Sequence, residues 1–170
     1  MVQLLLTSGA EAKLQDSGGL TPLHWSALER TGTIAKLIID SGSQDIINWT
    51  DANGLTPLHH AAYWGNYNMA LVVLLSGCDP NHLTYSAWSA VHHAVQGGHV
   101  AVIQLLEQYG ADLNLCGSFG VTPLDLAVAI GDDRVRTLLL RMRARRGALA
   151  DGITPPEEPA AFHIMPECSS

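Results

Sequence analysis

The stretch TPLHHAAYWG, residues 56–65, reads as a short helix with both ends marked. The Thr56 hydroxyl suits the free N–H groups of a helix's first turn, and Pro57 suits the first helical position, where no N–H is needed. Leu58, Ala61 and Ala62 then fall on one apolar stripe. Gly65 is at ease in the left-handed conformation that often closes a helix. Two turns are too few to persist alone, so whatever supports this helix lies elsewhere in the chain.

The support is in copies of the same pattern. TPLH also stands at Thr21–His24, with the variants SAVH at Ser89–His92 and TPLD at Thr122–Asp125, at intervals of 35, 33 and 33 residues. Ser26, Ala61, Ala94 and Ala127 keep this phase, as do Gly65, Gly98 and Gly131, and Gly42, Gly77 and Gly110. Asn81 and Asn114 are also in phase, with Asn48 displaced by two. Between the glycines a second helix is predicted, carrying Met69, Val72, Val73 and Leu74 in one copy and Val102, Ile103, Leu105 and Leu106 in the next. Short helix pairs repeated at this interval bury their apolar faces by stacking on their neighbours.

The period and the TPLH tetrad resemble the ankyrin repeat family, whose 33-residue unit carries T-P-L-H-x-A. The resemblance covers residues 1 to about 143. It implies an all-α solenoid of helix-turn-helix pairs with protruding hairpin loops. The expected ankyrin domain spans 1–146: a half repeat at 1–15 and repeats at about 16–50, 51–83, 84–116 and 117–146. A Pro-rich tail over 147–170 is expected to be disordered. Residues 1–10 align with 102–111, which places the start inside a second helix and suggests a fragment or shortened form of a longer array.

Departures from the pattern carry their own expectations. Repeat one has Arg30 and Thr31 where Gly-His belongs, with Gly32 two later, so its inter-helix turn should differ. Its two extra residues fall around Ser43–Ile47, in a loop. Repeat three has Thr84 and Ala87 in place of Asp and Gly, which puts its hairpin's conformation in question. Repeat four has Asp125 in place of His.

His24, His59 and His92 invite a catalytic or metal reading, as do His60, His93 and His99 beside them. The repeat argues otherwise, because one imidazole per layer is spaced by roughly the 10 Å of packed helices. In the family this imidazole bridges backbone groups of adjacent repeats, and the resemblance carries that role to His24, His59 and His92. His60 and His93 are expected to line the helix face. No nucleophile elbow, Walker loop or zinc-protease motif is present. No enzyme activity, cofactor, metal or small-molecule substrate is therefore expected.

Charge divides the chain. Residues 1–133 carry 12 acidic and three basic side chains, whereas 134–150 carry six arginines and no acid. An acidic body argues against nucleic acid. Arg134–Arg146 reads first as a solvated capping helix over Val135, Leu138, Leu139 and Met142, and second as an import signal or a patch for an acidic partner. Three scattered cysteines and no C-x-x-C pair fit a reducing intracellular compartment, cytoplasmic or nuclear. No apolar run is long enough to span a membrane.

What the resemblance implies is protein recognition by a concave face of hairpin tips and first-helix residues, the chain acting as a monomer or as part of a longer array. Transferred position by position, the candidate partner-binding residues are Leu20, Asn53, Leu55, Tyr63, Trp64, Tyr85, Trp88, Gln96, Phe119, Val121 and Ile130. Their aromatic content points to a partner with an apolar segment, and the acidic body to basic flanks on it. Alternatives are a substrate-recruiting adaptor of a ubiquitin ligase or other enzyme complex, and a regulator or inhibitor of a transcription factor or kinase. Thr154, before Pro155, is a candidate for proline-directed phosphorylation. Asn114 resembles asparagines that oxygen-dependent hydroxylases modify in this family.

Overall fold

The structure, a computed structural model, describes residues 12–150, with side chains to residue 143. Residues 1–11 of the expected half repeat, and the tail from residue 151 with Thr154 and Cys168, lie outside the described residues. Within them the chain is all helical, with no strand.

Among the described residues eight α-helices form two layers. The inner layer holds α1 (Pro22–Trp25), α3 (Pro57–Trp64), α5 (Ala90–Gln96) and α7 (Pro123–Ile130). The outer layer holds α2 (Thr33–Asp40), α4 (Tyr67–Leu75), α6 (Val100–Gln108) and α8 (Asp133–Ala150). Inner helices stack on inner, outer on outer, and each pair closes on itself. The buried strip between the layers takes Leu23, Leu58 and Val91 from the tetrads, Ala61 and Ala94 from the inner helices, Ala27 from the 3-10 turn that follows α1, and Met69, Val73, Ile103, Leu106, Val135 and Leu139 from the outer helices. Alanine at the inner contacts lets the short helices approach closely.

Three departures resolve in distinct ways. In repeat one the inner helix is only four residues long, then tightens into a 3-10 turn at Ser26–Leu28 and ends with Glu29 extended. Its two extra residues form a second 3-10 turn, Gln44–Asn48, rather than a plain loop, because Ile46 and Ile47 have core to bury themselves in. The detour restores phase: the Asn48 carboxamide oxygen accepts from Asp79 N–H at 3.1 Å, just as Asn81 accepts from Asp112 N–H at 2.7 Å one repeat later.

Repeat three keeps the hairpin of its neighbours. In repeat two Asp51 Oδ1 accepts from Leu55 N–H at 3.0 Å, and in repeat three Thr84 Oγ1 accepts from Trp88 N–H at 3.1 Å. The backbone bond closing the turn is likewise retained, at 2.9 Å in both. Ala87 therefore adopts φ +57°, in the left-handed region where Gly19, Gly54 and Gly120 stand in the other repeats. An L-residue is strained there. Ala87→Gly is expected to raise stability by about 1 kcal/mol, readable as a higher urea midpoint at unchanged slope.

At the far end, α8 buries Val135, Leu139 and Met142 with Leu138 half-buried, the stripe expected of it. The helix runs on to Ala150, past the expected boundary at 146. Ala148, Leu149 and Ala150 are good helix formers, and the first proline comes only at 155.

Candidate partner-binding surface

The hairpins that frame the concave face are held by imidazoles. His59 Nδ1 accepts from Thr56 N–H at 3.2 Å, with Thr56 Oγ1 2.8 Å from the same nitrogen, while His59 Nε2–H donates to the Trp88 carbonyl of the next repeat at 3.2 Å. His24 does the same between Thr21 and Leu55, and His92 between Ser89 and Val121. A backbone N–H on Nδ1 requires its lone pair, so the proton sits on Nε2 in all three. Both nitrogens of each ring are thus committed, and no lone pair is left for a metal. Among the described residues no group of three ligating side chains could hold one.

Asp125 performs half of this work. Its carboxylate accepts from Thr122 N–H at 3.0 Å and from the Thr122 hydroxyl at 2.6 Å, which closes the capping box. As an acceptor only, it has nothing to donate to a further carbonyl.

The neighbouring histidines line the inner helices as expected, and they diverge. His60 Nε2 lies 3.0 Å from Asp51 Oδ2. Burial opposes the Asp51 charge, yet the Leu55 and Asn53 N–H groups and the His60 ring outweigh it and hold the carboxyl below the usual carboxylate range. His93 packs among His59, Tyr63 and Trp88, its ring nitrogens buried without a hydrogen-bond partner. Burial, reinforced by neighbouring imidazoles, depresses the rings of His24 and His93 to about 4 and that of His59 to about 3. All three are neutral at pH 7. His99 Nε2–H donates to the Tyr63 carbonyl of the previous repeat at 3.0 Å.

On this frame the candidate residues separate into two groups. Tyr63, Trp64, Tyr85, Phe119 and Ile130 are solvent-facing, at 43, 55, 79, 103 and 48% exposure. Asn53 and Gln96 are exposed as well. Leu20, Leu55, Val121 and Trp88 are half-buried. The Trp88 indole stacks on His92 at 5.7 Å between ring centroids, and the Leu55, Trp88 and Val121 carbonyls receive the imidazole bridges. These last three therefore hold the hairpins as well as bordering the face. Trp25, which lies outside the transferred positions, is 53% exposed as well, and its Nε1–H donates to Asp16. A tryptophan directly after the tetrad was the available signal.

The family profile for ankyrin repeats (three copies) matches residues 1–84 and 70–146. The chain belongs to the ankyrin-repeat family. It is similar to the transient receptor potential channel pyrexia of Drosophila melanogaster, 31% identical over 75% of this chain and 13% of the channel. It is also similar to the NF-kappa-B inhibitor cactus of the same fly, 31% identical over 81% of this chain and 27% of cactus. A third relative is the B-cell lymphoma 3 protein homolog of Mus musculus, 26% identical over 94% and 42% of the two chains. The chain thus spans less than half the length of each of these relatives.

Ankyrin repeats are generally protein-binding modules rather than catalysts. Burial pushes the Cys78 thiol up to about 12, so it stays protonated. Cys116 is exposed. Asn114 is exposed at the end of its repeat, its N–H donating to Asp112 at 2.9 Å. Arg134 and Arg136 pair with Asp132 and Asp133, while Arg141 and Arg143 face solvent. Among the described residues no helix is long and apolar enough to cross a membrane.

Proposed function

We propose that the chain binds a partner protein through its concave face, with no catalytic step of its own. The observation that carries the reading is the set of exposed rings, Tyr63, Trp64, Tyr85 and Phe119, on inner-helix and hairpin positions of three successive repeats. Leaving large aromatics in water forgoes the burial that stabilises most rings, and such rings concentrate where binding energy is gained. A rigid frame of bridged hairpins presents them without further ordering cost. The partner offers an apolar segment. The acidic body favours basic flanks on it, since opposite fields speed encounter.

The test is a double substitution, Trp64→Ala with Tyr85→Ala. Both rings are exposed, so the thermal midpoint should hold, whereas truncating a hot-spot ring costs about 2 kcal/mol or more in binding. Recovery of the partner in a pull-down is expected to fall sharply. Unchanged recovery by the folded variant contradicts the proposal. Trp88 is the poorer choice, because its stacking on His92 makes any loss ambiguous.

A regulatory role is the second reading. Likeness to the inhibitor cactus over most of this chain favours it, with a transcription factor as the partner whose surface would be masked.

A further inference from the structure

Repeat one does not close its inter-helix turn as the others do, and the difference leaves a groove. At the junction of repeats two and three, His99 reaches back to the Tyr63 carbonyl, and its ring lies over Gly65 and Gly97, where a β-carbon on either would run into it. At the junction of repeats one and two the equivalent residue is Asn66. Its shorter side chain makes the same kind of bridge, its Nδ2–H donating to the Ala27 carbonyl at 3.0 Å and to that of Glu29. It covers less space than an imidazole. The inner helix of repeat one has also broken into a 3-10 turn, so Arg30 occupies the place of the usual glycine.

The result is a half-open groove of about 400 Å³ lined by Leu28, Arg30, Trp64, Asn66, Tyr67 and Asn68. Three exposed apolar side chains, Leu28 at 57%, Trp64 at 55% and Tyr67 at 41%, stand in a lining that is otherwise mostly polar. Its polar amides are engaged elsewhere, since Asn66 bridges as above and Asn68 Nδ2–H donates to the Arg30 carbonyl at 2.9 Å. The single charge in the lining is the Arg30 guanidinium, which has no ion-pair partner among the described residues. Glu29 beside it is turned away. Its Oε2 accepts from Ile34 N–H at 3.0 Å, in the first turn of α2, and Oε1 accepts from the Thr31 hydroxyl.

A groove bordered by three exposed apolar side chains and one uncompensated cation suits a matching pair of groups. We propose that it takes a short stretch of the partner protein in which an apolar or aromatic side chain stands beside a carboxylate. The side chain packs between Trp64, Leu28 and Tyr67, and the carboxylate meets the guanidinium, whose planar fork accommodates both oxygens. Opposite charge beside a partly desolvated apolar contact gives selectivity against basic segments at this spot, whatever the field of the acidic body does at longer range. The inference rests on the concave-face reading, because Leu28 and Trp64 border that face, but it is separable from it.

Panning a random-peptide display library on the full chain tests it, with Arg30→Glu and Lys36→Glu, the same charge change at an exposed α2 position outside the groove, as parallel targets. Selected peptides are expected to share an apolar or aromatic residue within two positions of Asp or Glu, to lose roughly tenfold or more in affinity on Arg30→Glu, and to bind Lys36→Glu normally. No enrichment, enrichment without an acidic residue, or equal affinity for Arg30→Glu overturns the groove proposal. Partner recovery lost in Trp64→Ala with Tyr85→Ala but kept in Arg30→Glu overturns the groove alone. Recovery kept in both overturns the concave-face reading as well. Arg30 is exposed, and equal thermal midpoints show that its variant folds.

Discussion

Replacing His59 with alanine is expected to lower the unfolding free energy by about 4 kcal/mol. The substitution empties the space of a fully buried ring and orphans two backbone groups at once, the Thr56 N–H and the Trp88 carbonyl. Each buried group left unsatisfied costs about 1–3 kcal/mol, and the cavity adds to this. Against total stabilities of about 5–15 kcal/mol for a domain, that loss is a large share of what keeps the chain folded. The damage also has a direction. Repeats hold one another only through nearest neighbours, so severing the bridge between repeats two and three should broaden the urea transition as well as shift it. A sharp transition at the parent midpoint would show that the bridge contributes little. Asp125→Ala serves as the contrast: its carboxylate is exposed and caps one helix without reaching another repeat, so its loss should cost only about 1 kcal/mol.

Acid is expected to act on the same bridges and on the buried His93 ring beside them. The rings of His24, His59 and His93 titrate near 4, 3 and 4 in the folded chain, against 6.5 when exposed. The folded-state values are depressed, so between these limits the unfolded chain binds more protons. Stability is then complete above pH 6.5 and falls as the pH drops towards 4. At pH 5 each of the three rings withdraws about 2 kcal/mol. Protonation is also structurally specific, since a proton on Nδ1 of His24 or His59 displaces the threonine N–H from the ring. Urea titrations at pH 7.5, 6 and 5 should show a midpoint that drops steeply across this window. A midpoint flat down to pH 5 would mean that the imidazoles are not held neutral by burial. His93→Phe should recover part of the loss, because the His93 ring nitrogens have no hydrogen bonds to forfeit.

Much of this was readable from residue spacing because repetition itself encodes the contacts. The tetrad names the helix start, its cap and its bridge together, so one recognised copy explains the others. Thr84 in the place of Asp51 was less transparent, although a hydroxyl oxygen accepts an N–H as a carboxylate does, and the hairpin survived on that equivalence. Ala87 gave no local sign that it would be carried into left-handed backbone, since only the surrounding hairpin imposes that conformation. The buried turn at Ile46 and Ile47 was visible as two extra residues but not as a structured one, because burial depends on what the next repeat leaves open.

The candidate surface was legible by position and less so by environment. Tyr63, Trp64, Tyr85 and Phe119 are exposed where repeat position put them, while Trp88 turns inward onto His92. No count along the chain separates these outcomes, since stacking depends on a ring from the same repeat being free to receive the indole. The groove at Arg30 arises from two departures in different repeats, a helix that breaks at Ser26 and an asparagine at 66, and neither one alone predicts it.

The most direct measurement is long-range proton–nitrogen NMR of the imidazoles at pH 7. With neutral rings bridging the repeats, His24, His59 and His92 should each show a single tautomer, Nε2 protonated and Nδ1 bare, with Nε2–H protons slow to exchange. Averaged tautomers with rapidly exchanging protons at these three positions would contradict the layered solenoid as described.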